Sequence, residues 1–358
     1  MTSRAPSFMP ARWRLGAALL IILVGVTLSV LLFQARLFQQ PNQQEAFSQR
    51  AALGATALQR SLQEHLEVLY GLSALYTAAA QPLQLTPEAF RELARGPLKR
   101  YAGVQALGWV PRIAAAERDA YVAAARKSGL ADFQLTEWTP QMHMAPASRR
   151  EVYYPIFYIE PLESQRAAVG FNLGAIPSYM EAMHKALSTE EATASAWRAL
   201  TQDTGEQFGF LLFVPVYRQG LPHGTFEERR KNLQGFMMAM FLLGTLVEQS
   251  LQGMTLGPMG AELADVSDAA SKYFLSLQLG ASQVTAWNFL PRPSAQAETI
   301  RAGIHWETTF NVAGRRWSLL AYPLTEGHGT YAWQEWGLLG GGLLCSLLGA
   351  AFFLVRWR

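Results

Sequence analysis

Cysteine is nearly absent from this sequence, since Cys345 is the only one among 358 residues. It lies inside a long apolar run close to the C terminus, so the remainder of the chain can form neither a disulfide nor a thiolate metal site. Cysteine-based catalysis is excluded there for the same reason. A cysteine-free segment of about 300 residues suits an oxidising compartment and has the length of one large domain or two smaller ones.

Motifs of known catalytic mechanism are also lacking. The sequence has no P-loop, no G-x-S-x-G nucleophile elbow and no H-E-x-x-H zinc motif. No histidine has a second histidine three or four positions away, so each is interpreted as a surface or packing residue (His65, His143, His184, His223, His305 and His328). Neighbouring glutamates such as Glu190 and Glu191 point to different faces of a helix. The sequence therefore predicts no enzyme, no metal and no cofactor.

The sequence also has no strong excess of positive or negative residues. The chain carries 30 Lys and Arg against 27 Asp and Glu, and its net charge of +3 comes partly from arginines at the two ends. So small an excess gives no argument for nucleic acid as a partner. The charged cluster at residues 227–231, inside a loop predicted at 219–232, is interpreted as a solvated face.

Two long uncharged runs stand out, at residues 15–33 and 337–355. Each has roughly the 20 apolar residues that cross a hydrocarbon core about 30 Å thick. Arginines flank both runs, and the positive-inside rule then places both chain ends in the cytoplasm (Arg4, Arg12, Arg14, Arg356 and Arg358). The prediction is a two-pass protein of the bacterial inner membrane, held in the lipid bilayer, with its main domain in the periplasm.

Each run has an alternative interpretation. A cleaved signal peptide would have a shorter apolar region, about 7–15 residues, and no small-x-small cleavage site precedes Arg36, which favours an anchor. In the second run small residues recur every four positions (Gly337, Gly341, Cys345 and Gly349). This stripe favours a close helix–helix contact, with the first run or with a second protomer, over glycines that merely face lipid.

Residues 37–80 are predicted to form a long stalk helix after the first run. Apolar side chains recur there at spacings of three and four (Leu58, Leu62, Leu66, Leu69, Leu72 and Tyr76). The stripe either packs on its own domain or pairs with a second copy in a homodimer, because it is too short and irregular to specify a coiled coil.

Beyond residue 86 the pattern becomes mixed, which predicts an α+β fold. Helices are expected from Pro87, with Thr86 as the N-cap, and at 114–128, 177–187 and 244–252. Strands are predicted at 107–113, 133–138, 152–159, 195–200, 208–218 and 234–243, and in a second, shorter stretch at 261–266, 284–290, 304–312 and 317–322. Gly314 is expected in the last turn. Two successive α+β units therefore lie between the two runs.

Five short phrases occur in order along the first unit: ALGWVPR at 106–112, REVYYPIFYIEP at 150–161, GFNL at 170–173, PVY at 215–217 and GF at 235–236. Together they resemble the CHASE family, the extracellular sensory domain of cyclases and histidine kinases, over residues 86–251. The resemblance implies a stalk helix and two PAS-like units between two transmembrane helices. It also implies a small molecule in the membrane-distal unit and a signal passed through the membrane-proximal unit into the second transmembrane helix.

The resemblance and the two runs together divide the chain into seven segments. These are a cytoplasmic N terminus (1–14), a first transmembrane helix (15–35), a periplasmic stalk helix (36–85), a CHASE core with the membrane-distal PAS-like unit (86–255), a membrane-proximal PAS-like unit (256–335), a second transmembrane helix (336–355) and a cytoplasmic end (356–358).

The candidate ligand-binding residues are aromatic or apolar and lie in the implied distal unit (Tyr154, Phe157, Tyr179, Trp197, Phe213 and Val214). Such side chains at alternate strand positions suit the lining of a small-molecule pocket, and they are equally typical of a hydrophobic core. The chain departs from the plant cytokinin receptors of the family. They commonly carry Asp at the position of Asn172, an acidic residue near Tyr179 and a small polar residue at Phe213, so cytokinin is not favoured as the ligand.

The predicted function is a receptor that passes its signal to a cytoplasmic diguanylate cyclase or histidine kinase, as in a two-component system. No such output domain lies in this sequence, so we expect it to have been removed or to be a separate partner. A stand-alone periplasmic binding or assembly protein is the alternative. An exterior enzyme is the third hypothesis, and no motif supports it.

Overall fold

A computed structural model describes residues 11–78, 86–101, 103–141, 143–199, 208–268, 271, 273–280, 283–292, 296–324, 340–341, 344–352 and 355. The chain divides into two compact units. One comprises the terminal segments Met1–Gln49 and Leu324–Arg358, and the other is Arg50–Pro323.

The α-helices of the described residues are α1 (Ala11–Ala78), α2 (Pro87–Arg100), α3 (Arg118–Lys127), α4 (Leu162–Gln165), α5 (Pro177–Thr189), α6 (Phe226–Asn232), α7 (Leu243–Leu251) and α8 (Ala297–Ala302). The strands are β1 (Val104–Pro111), β2 (Ile113–Ala114), β3 (Thr136–Trp138), β4 (Met144–Pro146), β5 (Val152–Tyr153), β6 (Tyr158–Glu160), β7 (Thr193–Ala194), β8 (Arg198–Ala199), β9 (Phe208–Tyr217), β10 (Leu233–Leu242), β11 (Met259–Asp265), β12 (Tyr273–Leu279), β13 (Val284–Pro291), β14 (Trp306–Val312) and β15 (Arg315–Pro323).

The unit of the two terminal segments exposes many large apolar side chains (Leu19, Leu20, Leu23, Leu28, Leu31, Leu344, Leu347, Leu348 and Phe352). Part of the predicted second run falls outside the described residues, and 340–341, 344–352 and 355 are helical. Ser346 lies so close to Gly25 that any side chain at Gly25 would clash with it, whereas nothing approaches Gly341 within 4 Å. Among the described residues, no helix meets the length and apolarity required to cross a membrane.

In the second unit, α1 supplies one long buried stripe. Ala51, Ala55 and Leu58 are buried along its earlier turns, and the predicted residues Leu62, Leu69, Leu72 and Tyr76 follow them, while Leu66 is half-buried. The Tyr76 ring lies 4.2 Å from the Trp109 ring of β1. The stripe therefore packs on its own domain, the first of the two expected arrangements. Burying each Leu or aromatic side chain contributes roughly 1.5–3 kcal/mol.

The first sheet has the strand order β6-β1-β10-β9-β7, with β8 paired to β9, and these strands pair antiparallel. Adjacent residues of a strand point to opposite faces. Trp109 accordingly faces α1, whereas Val110 belongs to the core beneath α5. The sheet is thus buried on both faces, which explains why β9 and β10 are continuous apolar runs.

The second sheet has the order β13-β12-β11-β15-β14 and is antiparallel throughout. Residues of one face, including Met259, Leu277 and Leu319, line a small apolar cavity with the α1 residues Ala51 and Leu58. Helix α1 therefore lies along both sheets. The turn between β14 and β15 consists of Ala313 and Gly314, both with positive φ, so the prediction of Gly314 in this turn is confirmed.

Several predicted elements are wrong in detail. The strand predicted at 152–159 is two short strands, β5 and β6, because Pro155 has no N–H to continue a ladder and instead forms an isolated bridge with Asn172. The strand predicted at 195–200 is likewise replaced by β7 and β8. Strands β4 and β12 and helices α4, α6 and α8 were not predicted. The predicted N-cap is confirmed, since the Thr86 hydroxyl accepts from the Ala89 N–H at 3.3 Å.

The charged cluster at residues 227–231 lies on a helix and not in a loop as predicted, while Glu227, Arg230 and Lys231 are exposed, as expected of a solvated face. Residues 226–232 form α6, whose capping box joins Thr225 and Glu228. The Arg229 side chain is only 13% exposed. Its guanidinium donates to the carbonyl oxygens of Leu187 and Ser188 at the end of α5, at 2.9 and 3.0 Å. Arg229 thus stabilises the C-terminal end of α5 and is not part of a solvated face.

His65 on α1 leads to a prediction about pH. Its ring is buried edge-on against the rings of Tyr101 and Phe241. Burial lowers the pKa of His65 from the ordinary 6.5, opposed by its hydrogen bond with the Ser61 carbonyl. Between 6.5 and the lower folded pKa, the unfolded chain therefore binds a proton that the folded chain does not.

We expect the protein to lose stability as the pH falls below 6.5, and His65→Phe to reduce that loss by up to about 1.4 kcal/mol per pH unit. The measurement is the free energy of unfolding in urea at about pH 7.5 and about pH 5.5. His143→Phe, at an exposed position, is the matched control. An identical pH slope in the wild type and His65→Phe would contradict this role of His65.

Candidate functional site

The candidate site is the core between α5 and the first sheet, which we call the α5 core. A row of four aromatic rings crosses it, in the order Tyr154, Phe236, Phe213 and Tyr179. Successive ring centroids are 5.8, 6.1 and 6.3 Å apart. All four side chains are buried, and Phe213 is 0% exposed. Since the rings fill the space between helix and sheet, a ligand that enters the α5 core must displace at least one of them.

An arginine lies at each end of this aromatic row. The Arg112 guanidinium lies close to the Tyr154 hydroxyl, and that of Arg198 lies over the Tyr179 ring, 5.4 Å from its centroid. Burial raises the pKa of Tyr154 and of Tyr179, and the neighbouring arginine opposes the rise in each case. Both phenols therefore keep their protons at neutral pH and can donate as well as accept.

Four polar side-chain atoms are buried in or beside the α5 core without a hydrogen-bond partner: Asn172 Nδ2, Thr136 Oγ1, Ser178 Oγ and Tyr217 Oη. Asn172 is 0% exposed, and its Oδ1 accepts from the Tyr154 N–H at 2.9 Å. The Asn172 N–H donates to the Thr136 carbonyl at 2.8 Å, which places these two residues side by side. A buried polar group without a partner costs about 1–3 kcal/mol, so these atoms are energetically unfavourable as they stand.

The backbone near Asn172 allows little change. A Cβ atom at Gly174 would lie 3.1 Å from Tyr154 Cδ2 and 3.3 Å from Asn172 Oδ1. Both distances are shorter than ordinary van der Waals contacts. Gly174 therefore lets the turn before α5 approach the amide of Asn172 and the ring of Tyr154.

The α5 core brings together three of the six predicted site residues: Tyr154, Tyr179 and Phe213. Val214 follows Phe213 on β9 and so points to the opposite face of the sheet. Phe157 lies in a separate aromatic group, with ring centroids 5.2 Å from Tyr121 and 4.5 Å from Tyr158.

Trp197, the sixth predicted residue, packs at the junction of the two sheets. Its ring is 5.1 Å from that of Trp317 on β15, at an angle of 85°. The Phe210 ring of β9 also contacts Trp317, at 5.4 Å. The six residues therefore lie in different places, and three of them line the α5 core.

Sequence reasoning did not select the polar residues of this site: Arg112, Thr136, Asn172, Ser178 and Arg198. Thr136 and Arg198 lie in short strands whose pairing is not evident from the sequence. Asn172 could have been recognised from the phrase GFNL at 170–173, where its amide side chain stands between apolar residues. No group of three His, Cys, Asp or Glu side chains within the described ranges is suited to hold a metal ion.

Comparison with known proteins gives one family match. The model of the CHASE domain matches residues 84–275, more than half of the chain. The hybrid signal transduction histidine kinase A of Dictyostelium discoideum is 24% identical over 230 residues, which are 61% of this chain and 10% of that protein. The chain thus spans about a tenth of the length of this relative.

Solved structures of low similarity were also found. The periplasmic sensory domain of the Campylobacter jejuni chemoreceptor Tlp1 is 9% identical, with a TM-score of 0.48, and the match covers 80% of this chain and 96% of that one. An extracellular ligand binding receptor from Desulfohalobium retbaense is 12% identical, with a TM-score of 0.36, and the match covers 74% of this chain and 39% of that one.

The aromatic row leads to a prediction about its central ring. Because Phe213 of β9 is fully buried beneath α5, Phe213→Ala should destabilise the protein by about 3–5 kcal/mol and leave an apolar cavity. Benzene at saturating concentration should restore part of that loss, since such cavities bind small apolar molecules. Thermal unfolding of the full chain with and without benzene measures both effects.

Val214→Ala is the control. The Val214 side chain lies on the other face of the same strand, and the substitution removes too little volume to admit benzene. A loss below about 1 kcal/mol in Phe213→Ala, or no effect of benzene on that variant, would contradict the described packing.

Proposed function

The chain belongs to the CHASE domain family, and from this premise we propose that it is a membrane-anchored sensor that binds a small molecule in the α5 core. The family is a sensory domain and not a catalytic one. The observation that carries the proposal is the set of buried, unpartnered polar atoms on Asn172, Thr136 and Ser178, within the matched region. A bound ligand would complete their hydrogen bonds, and the protein would otherwise bear the cost of leaving them unmade.

The chemistry of the α5 core favours a ligand with hydrogen-bond acceptors. Asn172 offers an N–H₂ group, Thr136 and Ser178 offer hydroxyls, and Arg112 and Arg198 carry positive charge at the two ends of the aromatic row. The aromatic rings between them suit a planar or apolar ligand body. We infer a small carboxylate or a planar heterocycle with ring acceptors.

Binding should be detectable as a rise in the melting temperature of the full chain in detergent with a panel of small carboxylates and purines. Asn172→Ala should abolish a rise caused by an α5-core ligand, whereas the exposed Asn311→Ala on β14 should leave it unchanged. Equal shifts in the wild type and Asn172→Ala would place the ligand elsewhere. No shift with any compound would favour a binding or assembly protein of different specificity.

We further propose that the two apolar runs are transmembrane helices and that the matched region lies in the periplasm. The sequence supports this through the length of the runs and the flanking arginines. The large apolar side chains exposed on both terminal segments are costly in water and suited to lipid.

Single cysteines test this topology in a chain whose one native cysteine is first changed, Cys345→Ser. Ser128→Cys lies at an exposed position after α3 and should react with a membrane-impermeant maleimide in spheroplasts. Ser7→Cys, before the first run, should react only after the membrane is permeabilised. Equal labelling at both positions in intact spheroplasts would contradict a two-pass arrangement with a cytoplasmic N terminus.

The proposed signal path runs from α5 to the turn between β14 and β15. The Lys185 ammonium of α5 donates to the Gly314 carbonyl, and the Ala194 N–H donates to the Ala313 carbonyl at 2.8 Å. Strand β15 starts directly after this turn and ends at Pro323, ahead of the second apolar run. A ligand that shifts α5 would therefore act on β15, provided that it binds the two arrangements with different affinity.

The proposed output is a cytoplasmic histidine kinase. The curated relative from Dictyostelium is a hybrid histidine kinase, which favours this output over a diguanylate cyclase. The output domain and a homodimeric assembly belong to the proposal.

A further inference from the structure

A second concave site lies on the other sheet, well separated in the fold from the α5 core. It is a cavity of about 130 Å³ beside α8, and its apolar wall contains Ala264, Phe274 and Leu320. About 10–15 Å³ of such space holds one water molecule, so the cavity can take a molecule of several non-hydrogen atoms. Its polar lining consists of Glu262, Arg292, Arg301, Glu307 and Ser318.

Strand register places this lining on one face of the sheet. Glu262 on β11 pairs with Leu320 on β15, which pairs with Glu307 on β14. Ala264 pairs with Phe274 on one side and Ser318 on the other. The intervening residues, such as Leu263 and Leu319, face the opposite way, and Leu319 lines the small cavity against α1. The charged cavity therefore uses a face of the sheet that α1 does not cover.

The ionic groups of the cavity are paired but accessible. Arg301 donates from Nε and Nη2 to the two carboxylate oxygens of Glu307, at 3.0 and 2.9 Å. The Arg301 side chain is 48% exposed and that of Glu307 is 33% exposed, so this ion pair contributes little to stability and can rearrange. Arg292 uses Nη1 to donate to the Asp265 carbonyl at 2.9 Å. A guanidinium has five N–H groups, so both arginines retain donors for a ligand.

Two guanidinium groups and two carboxylates line the same small space, so their charges balance. A simple anion or cation would meet as much repulsion as attraction there. A molecule that carries a carboxylate and an ammonium group meets complementary charge at both ends. Its side chain can contact the apolar wall of Ala264, Phe274 and Leu320.

We propose that this cavity binds a small zwitterion, an α-amino acid with a short side chain. Arg292 and Arg301 hold its carboxylate, and Glu262 and Glu307 hold its ammonium group. The cavity lies on the second sheet, which contains β15, whereas the α5 core lies on the first sheet. A ligand in the cavity would therefore act on β15, the strand that the proposed signal path also uses. The proposal goes beyond the sensor function and does not depend on a ligand in the α5 core.

The test is calorimetric titration of the full chain in detergent micelles with alanine and serine. Propionate, which keeps only the carboxylate, and ethylamine, which keeps only the ammonium group, are titrated for comparison. Alanine or serine should bind, and propionate and ethylamine should bind at least tenfold more weakly. Arg301→Gln should weaken amino-acid binding at least tenfold. The matched control is Arg91→Gln, which breaks the ion pair between Arg91 and Glu160 of the first sheet. The Arg91 side chain is 49% exposed, close to the 48% of Arg301.

Circular dichroism and the melting temperature check that both variants remain folded. No binding of alanine or serine would overturn the proposal, and so would binding of propionate as tight as that of alanine. Amino-acid binding that survives Arg301→Gln but is lost in Asn172→Ala would assign the ligand to the α5 core and overturn the proposal. Loss in Arg301→Gln with full retention in Asn172→Ala supports it, whatever the α5 core binds.

Discussion

The arrangement of the Arg50–Pro323 unit depends on burial of one face of α1. Its earlier buried residues, such as Ala55 and Leu58, face the second sheet, and its later ones, such as Tyr76, face the first. Helix α1 thus covers apolar residues of each sheet, while α5 covers the other face of the first sheet. One continuous element thus holds two sheets, and any shift of α1 alters the packing of each.

The two sheets also contact each other directly, and these contacts decide how a change in one reaches the other. Aromatic rings meet at the junction, where Phe210 of the first sheet lies against Trp317 of the second. Beside them the buried Arg315 Nε donates to Asp265 Oδ2 at 2.5 Å. Removing one partner of such a buried pair costs about 3–5 kcal/mol, so the start of β15 is firmly placed. In the proposed signal path, movement of α5 would be carried along β15 as a unit.

The sequence was most informative where burial is simplest. Strands β9 and β10 are long apolar runs because both faces of the first sheet are covered, and their predicted bounds differ from the observed ones by at most one residue at each end. The same continuity hid which residues share a face. Phe213 and Val214 were both selected for the pocket, since a run that is apolar at every position does not show which alternate residues face which side of the sheet.

Other features could not be predicted because they depend on contacts distant in sequence. Asn172 acquires its role from the Tyr154 backbone, and Arg229 from carbonyl groups at the end of α5. The charged cavity arises only when β11, β14 and β15 pair in the observed register. The sequence analysis assigned no role to the Arg and Glu residues of this cavity, which only the fold brings together.

We propose that occupation of the α5 core changes the turn that begins β15. Hydrogen–deuterium exchange of the full chain in lipid nanodiscs tests it, with and without a compound whose binding requires Asn172. The account predicts slower exchange around Tyr154 and Asn172, together with a changed rate at Ala313–Gly314 and the first residues of β15. Protection confined to the α5 core, with the turn unaffected, would contradict the proposed path from ligand to β15.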